Sequence, residues 1–175
     1  MKNQQGFSLL EFLASMFIVL ALATIGYSQY VTSAENAKQA AIIANMHSIQ
    51  LSAEDFSTQA DGVYPGGINT EVAQACPASS TNHNVMAGAT KQPFPAEALI
   101  PADFVNPVDS THDAIRNGLS RKPFGCVYYL GLDADGNPAG EGNYAVGYKI
   151  TAMGAYRPLM LILTYGGKGA SHEKK

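Results

Sequence analysis

Glu11 is the one charge in the stretch GFSLLEFLASMFIVLALATIGY, Gly6 to Tyr27, an apolar run entered through Met1-Lys2-Asn3-Gln4-Gln5. About 20 apolar residues suffice to span a bilayer as a helix, because backbone groups in hydrocarbon must be satisfied within the segment itself. A carboxylate in such a run costs about 2.5–3.5 kcal/mol on insertion scales, so it reads as functional and calls for a cationic partner at the same depth. The chemistry open to Glu11 is therefore charge-assisted pairing inside an apolar environment.

The junction before the run narrows that chemistry. A secretory signal has a basic leader, an apolar core of about 7–15 residues and a small-residue cleavage site after the core. Here the core is longer and Gly6 precedes it. Cutting after Gly6 removes only the polar leader and keeps the anchor in the mature chain. Lys2 and the amino terminus stay cytoplasmic, which puts the chain beyond Tyr30 outside the cytoplasmic membrane. Tyr27 and Tyr30 fall at the level of the interfacial aromatic belt. Phe7, Phe12 and Phe17 read as packing residues, and nothing in their spacing demands electron conduction.

Gly6-Phe7-Ser8-Leu9-Leu10-Glu11 followed by an unbroken apolar helix resembles the class III signal of type IV pilins and type II secretion pseudopilins. The resemblance implies that a prepilin peptidase cleaves after Gly6 and methylates the new amino group on Phe7, so that Glu11 becomes the fifth residue of the mature chain. It also assigns Glu11 to pairing with the N-terminal amine of a neighbouring subunit. The partners it implies are other copies of the chain in a helical homopolymer, the peptidase, an assembly platform with its cytoplasmic ATPase, and the cytoplasmic membrane before assembly. No cofactor is expected, and the surface ligand, DNA or another, is left open.

Other residues with chemical potential are few. Cys76 and Cys126 are the only cysteines. An even count in an oxidising compartment favours a bridge over two buried thiols or metal ligands. Such a loop corresponds to about 4 kcal/mol on the chain-entropy account. Asp133, Asp135 and Asn137 alternate as oxygen donors, as at the start of a calcium loop, with Glu141 able to complete an irregular site. Gly136 comes too early for that loop and Pro138 occupies the glycine's place, so an Asp-Gly hairpin turn accounts for the same residues and no metal is expected. His47, His83, His112 and His172 are scattered. No Gly-x-Ser-x-Gly elbow or His-Glu-x-x-His pair occurs, and Gly166-Gly167-Lys168-Gly169 lacks the spacing of a phosphate loop. The sequence therefore points away from an enzyme.

The elements that must position these residues follow from pattern. Val31 to about Ser57 contains no proline or glycine, and Ile42, Met46, Ile49, Ala53 and Phe56 advance by fours and threes, one apolar stripe of a helix. Gly26, beside β-branched Thr24 and Ile25, is a point for local bending. Asp61-Gly62 and Tyr64-Pro65-Gly66-Gly67 end the helix. Up to about Pro123 the chain is irregular, with short helices expected around Ala96 to Leu99 and from Ser110 to Gly118, where Asp113 is in capping position. Cys126 to Leu132, Asn143 to Thr151 and Pro158 to Tyr165 read as strands of a meander.

The expected division is a leader, 1–6; a transmembrane and assembly helix, 7–30; and a soluble head, 31–175. The head comprises an amphipathic helix 31–58, an irregular αβ region 59–123 and a β-meander 124–165. The fold class is α+β, with a long N-terminal helix packed on a small C-terminal antiparallel sheet, the pilin fold by resemblance. Length and charge agree: 175 residues make one modest domain, and a formal net charge of −3 gives no basic footprint for nucleic acid. The resemblance makes the protein a structural subunit of a type IV pilus, or alternatively a pseudopilin of a periplasmic pseudopilus. The absence of tryptophan and the elaborate middle region favour the pilus, and Glu11 argues against the tip subunits that lack an acid there.

Overall fold

The structure, a computed structural model, describes residues 8–72, 85–86, 98–101, 104–120, 122–155, 157–159 and 161–166. It separates into a first unit, Met1–Ala37, and a second, Lys38–Lys175. The helix α1 (Leu9–Gln59) contributes to both. It passes Gly26 without interruption.

Within the first unit the helix presents apolar side chains all round, with Leu9, Phe17 and Ile25 each well exposed. Its 18-residue window reaches a mean hydropathy of 2.2, enough by length and composition to cross a membrane. Two hydroxyls on this stretch are satisfied by the helix itself: Ser15 Oγ donates to the Phe12 carbonyl and Thr24 Oγ1 to that of Ala21, each at 2.8 Å. Such back-bonding answers the bilayer's demand that polar groups find internal partners.

In the second unit the stripe Ile42, Met46, Ile49, Ala53 and Phe56 is fully buried. The helix ends in a Schellman arrangement. Gly62 N–H donates to the Ser57 carbonyl at 2.9 Å, and Asp61 takes the left-handed conformation at φ 57°. Among the described residues six strands follow: β1 (Tyr64–Pro65), β2 (Ile115–Asn117), β3 (Val127–Leu132), β4 (Tyr144–Ala145), β5 (Gly147–Ala152) and β6 (Leu163–Tyr165). The main sheet runs β2-β3-β5-β6, and β1 pairs separately with β4. Residues 42–53 of α1 share one core with Val127, Tyr129, Tyr148 and Ile150 of the sheet. The architecture is thus the expected α+β arrangement of long helix and small sheet.

Several expectations need correction. The sheet is mixed, because β2 pairs with β3 in parallel, Ile115 opposite Val127. The helix expected from Ser110 to Gly118 is absent: Ile115–Asn117 is strand, and Asp113 holds Arg116 at 2.9 Å. A non-local ladder with β3 overrides the local capping pattern there. Around Leu99 the backbone is likewise taken by strand-like bonds, Leu99 N–H to the Val85 carbonyl and Ile100 N–H to that of Met86. Ala98 stands in a parallel bridge with Val85, and Ala96 lies outside the described residues. The strand foreseen from Asn143 to Thr151 is broken at Val146, so that Tyr144–Ala145 joins β1 while Gly147–Ala152 joins β3. The last strand begins at Leu163, whereas Pro158 makes only an isolated bridge to Met153, since proline has no N–H for a ladder.

Candidate assembly site

The start of α1 is built by two residues three positions apart, Ser8 through its backbone and Glu11 through its side chain. Ser8 is the N-cap, its carbonyl accepting the first helical bond from Phe12 N–H at 3.1 Å. Glu11, three residues on, reaches back so that Oε2 accepts the Ser8 backbone N–H at 3.0 Å. This is the reciprocal half of a capping box, which answers an orphan amide and sets a negative charge at the positive end of the helix. The Ser-x-x-Glu spacing was present in the sequence as a sign of it. An ionised carboxylate offers about four lone-pair sites, so the bond to Ser8 leaves Glu11 able to accept a further donor such as an ammonium. Gly6 and Phe7, the residues of the expected cleavage, lie outside the described residues.

The other sequence candidates are not gathered at this site. Cys126 is buried and its thiol free among the described residues; burial pushes that thiol up to about 11. Cys76 lies outside the described residues. Asp133 spends Oδ1 on the backbone amides of Asp135 and Asn137, at 2.9 and 2.8 Å, which closes the turn around Gly136. Glu141 accepts a hydrogen bond from Asn117 Nδ2 instead of joining that turn. Among the described residues no three His, Cys, Asp or Glu side chains are placed to hold a metal.

Sequence reasoning missed the polar clamp that fixes the second half of α1. Glu54 accepts Tyr64 Oη at 2.9 Å through Oε2 and Tyr148 Oη at 2.7 Å through Oε1. Tyr64 and Tyr148 meet edge to face with centroids 5.1 Å apart, and Tyr148 stacks on Tyr129 at 6.1 Å. Tyr129 Oη in turn donates to the Pro65 carbonyl at 2.8 Å. Burial, followed by the bond to Glu54, raises Tyr64 and Tyr148 well above the ordinary phenol value. Nothing local signals this cluster, because Tyr148 is 94 positions from Glu54 in the chain.

Comparison with known proteins finds a match at the N-terminus. Residues 1–27 fit the family described as the prokaryotic N-terminal methylation motif. That motif is the class III signal found in type IV pilins and pseudopilins. No curated protein and no solved structure matches the chain.

Proposed function

We propose that this chain, which opens with a prepilin-type methylation signal, is a structural subunit of a type IV pilus. The observation that carries the reading is Glu11, an acid set within an apolar helix inside the matched segment. In the proposed sequence of events the precursor sits in the cytoplasmic membrane through α1, and prepilin peptidase cuts after Gly6 and methylates Phe7. An assembly platform and its ATPase then draw the subunit into a filament. Glu11 accepts the ammonium of a neighbour's Phe7, replacing an unpaired charge in hydrocarbon by a charge-assisted bond. Head-to-tail contacts of this kind propagate as an open helix where the rotation does not close. The Cys76–Cys126 bridge, the membrane topology and a non-enzymatic role belong to the same proposal, supported by the compartment that the topology implies.

The filament is read as an extracellular pilus serving adhesion, motility or DNA uptake, since the region between helix and sheet is long and the chain has no tryptophan. Electron microscopy of filaments sheared from the cell surface, with mass spectrometry of their subunit, tests this. Long fibres composed of a chain that begins at methylated Phe7 are expected. A processed chain kept in the envelope with no surface fibre would move the assignment to a pseudopilin, the alternative that carries the same signal.

A further inference from the structure

Away from α1, the segments 106–113 and 122–125 are tied together by one buried side chain. Asn106 is 3% exposed and its amide is fully employed. Nδ2 donates to the Phe124 carbonyl at 2.8 Å and to that of Asp113 at 3.4 Å, while Oδ1 accepts the amides of Val108 and Asp109 at 2.9 and 3.1 Å. Gly125 permits the approach: its φ is +76°, and a Cβ there would stand 2.0 Å from Asn106 Oδ1. A fully satisfied buried amide of this kind fixes a loop pair in one geometry.

The two segments, with β2, enclose an open cleft of about 640 Å³, within the range of small-ligand sites. Its walls carry three kinds of group. Asp109 and His112 form one pair at 2.8 Å, and Asp109 Oδ1 also accepts the Thr111 hydroxyl at 2.6 Å. Arg116 lines the cleft too, paired through Nε and Nη2 with Asp113 just outside it. Lys122 is exposed and makes no ion pair among the described residues. Pro123 and Phe124 supply an apolar patch, Phe124 being 38% exposed. Among the described lining residues Asp109 is engaged by Thr111 and His112 and Arg116 by Asp113, which leaves Lys122 as the cation available to an anionic group. A purely apolar ligand would leave all of these charges unused.

We propose that this cleft binds an acidic sugar, a pyranose ring bearing one carboxylate, of the hexuronate type. Lys122 takes the sugar carboxylate, the lone pair left on Asp109 Oδ2 accepts one ring hydroxyl, and Pro123 with Phe124 receives the C–H face of the ring. This inference is independent of the filament reading, since it rests on the second unit alone.

Calorimetric titration of the full chain in detergent micelles with methyl galactopyranosiduronate, a single ring with one free carboxylate, tests it. The matched methyl galactopyranoside and sodium sulfate serve as comparisons. Saturable binding of the uronate is expected, weakened about tenfold for the neutral sugar, as the loss of one charge-assisted bond predicts. Phe124→Ala and Lys122→Gln should each weaken uronate binding several-fold, with Lys122→Gln removing selectivity over the neutral sugar. Both side chains are exposed, and Lys122→Gln keeps the test decisive should Phe124→Ala disturb the loop. The proposal is overturned if the uronate shows no saturable binding at millimolar concentration, if sulfate binds as well as the uronate, or if neither variant changes the affinity.

Discussion

Glu11 has two demands on it, and its chemistry separates them. As the N3 residue of a capping box it needs only an acceptor aimed at the Ser8 amide, which glutamine also supplies. As the partner of an ammonium it needs a charge. Glu11→Gln should therefore keep the first turn of α1 while losing filament assembly, and Glu11→Ala should lose both. Hydrogen exchange at the Ser8 amide and the yield of filaments read the two roles separately, and a Glu11→Gln chain that assembled normally would remove the pairing role. The tyrosines give a second prediction at this scale. Burial raises Tyr64, Tyr129 and Tyr148 well above the usual phenol value and Tyr128 to about 12. The folded chain holds these protons where the unfolded chain releases them, from about pH 10 upwards. Their contribution to stability is complete below that pH and declines as pH rises through the folded values. Alkaline titration of the full chain in detergent should show tyrosinate absorbance from these residues appearing together with loss of near-ultraviolet dichroism. Their ionisation near pH 10 in a chain that stays folded would contradict this.

Among the elements, α1 carries the fold. Its buried stripe was legible because period alone determines which face turns inward, and Ile42, Met46, Ile49, Ala53 and Phe56 are all fully buried. Ile49→Ala should cost about 2–5 kcal/mol through lost contacts and a residual cavity, measured by denaturant unfolding of the full chain. Leu51, on the same helix but 72% exposed, should tolerate alanine with little change. The strands were legible only in part. β3 and β5 follow Val, Ile and Tyr content, but β2 forms in a segment whose Ser-Thr-His-Asp beginning is that of a helix cap, because its ladder partner Val127 lies beyond the intervening turn. The clamp at Glu54 and the anchor at Asn106 were hidden for the same reason. Tyr148 is 94 positions from Glu54 and Phe124 is 18 from Asn106, and no local pattern marks a carboxylate or an amide as the meeting point of separate segments.

For the whole molecule, the compartment of the head decides the state of its cysteines. Outside the cytoplasm the proposed Cys76–Cys126 bridge should leave both residues unreactive to alkylating agents until the chain is reduced, whereupon mass spectrometry should show two additions. Labelling of the unfolded chain without reductant would mean two thiols, and the burial that raises Cys126 would then keep it inert in the native state. The clamp at Glu54 has a mechanical consequence. One carboxylate on α1 holds tyrosines from β1 and β5 at once, so a load that drags the helix along the sheet is shared by two bonds side by side and cannot break them one after the other. Single-molecule pulling on the full chain should show that Tyr64→Phe and Tyr148→Phe together lower the rupture force by less than the sum of their separate effects. A subunit built this way resists tension as a rivet does, holding firm until both fastenings fail together.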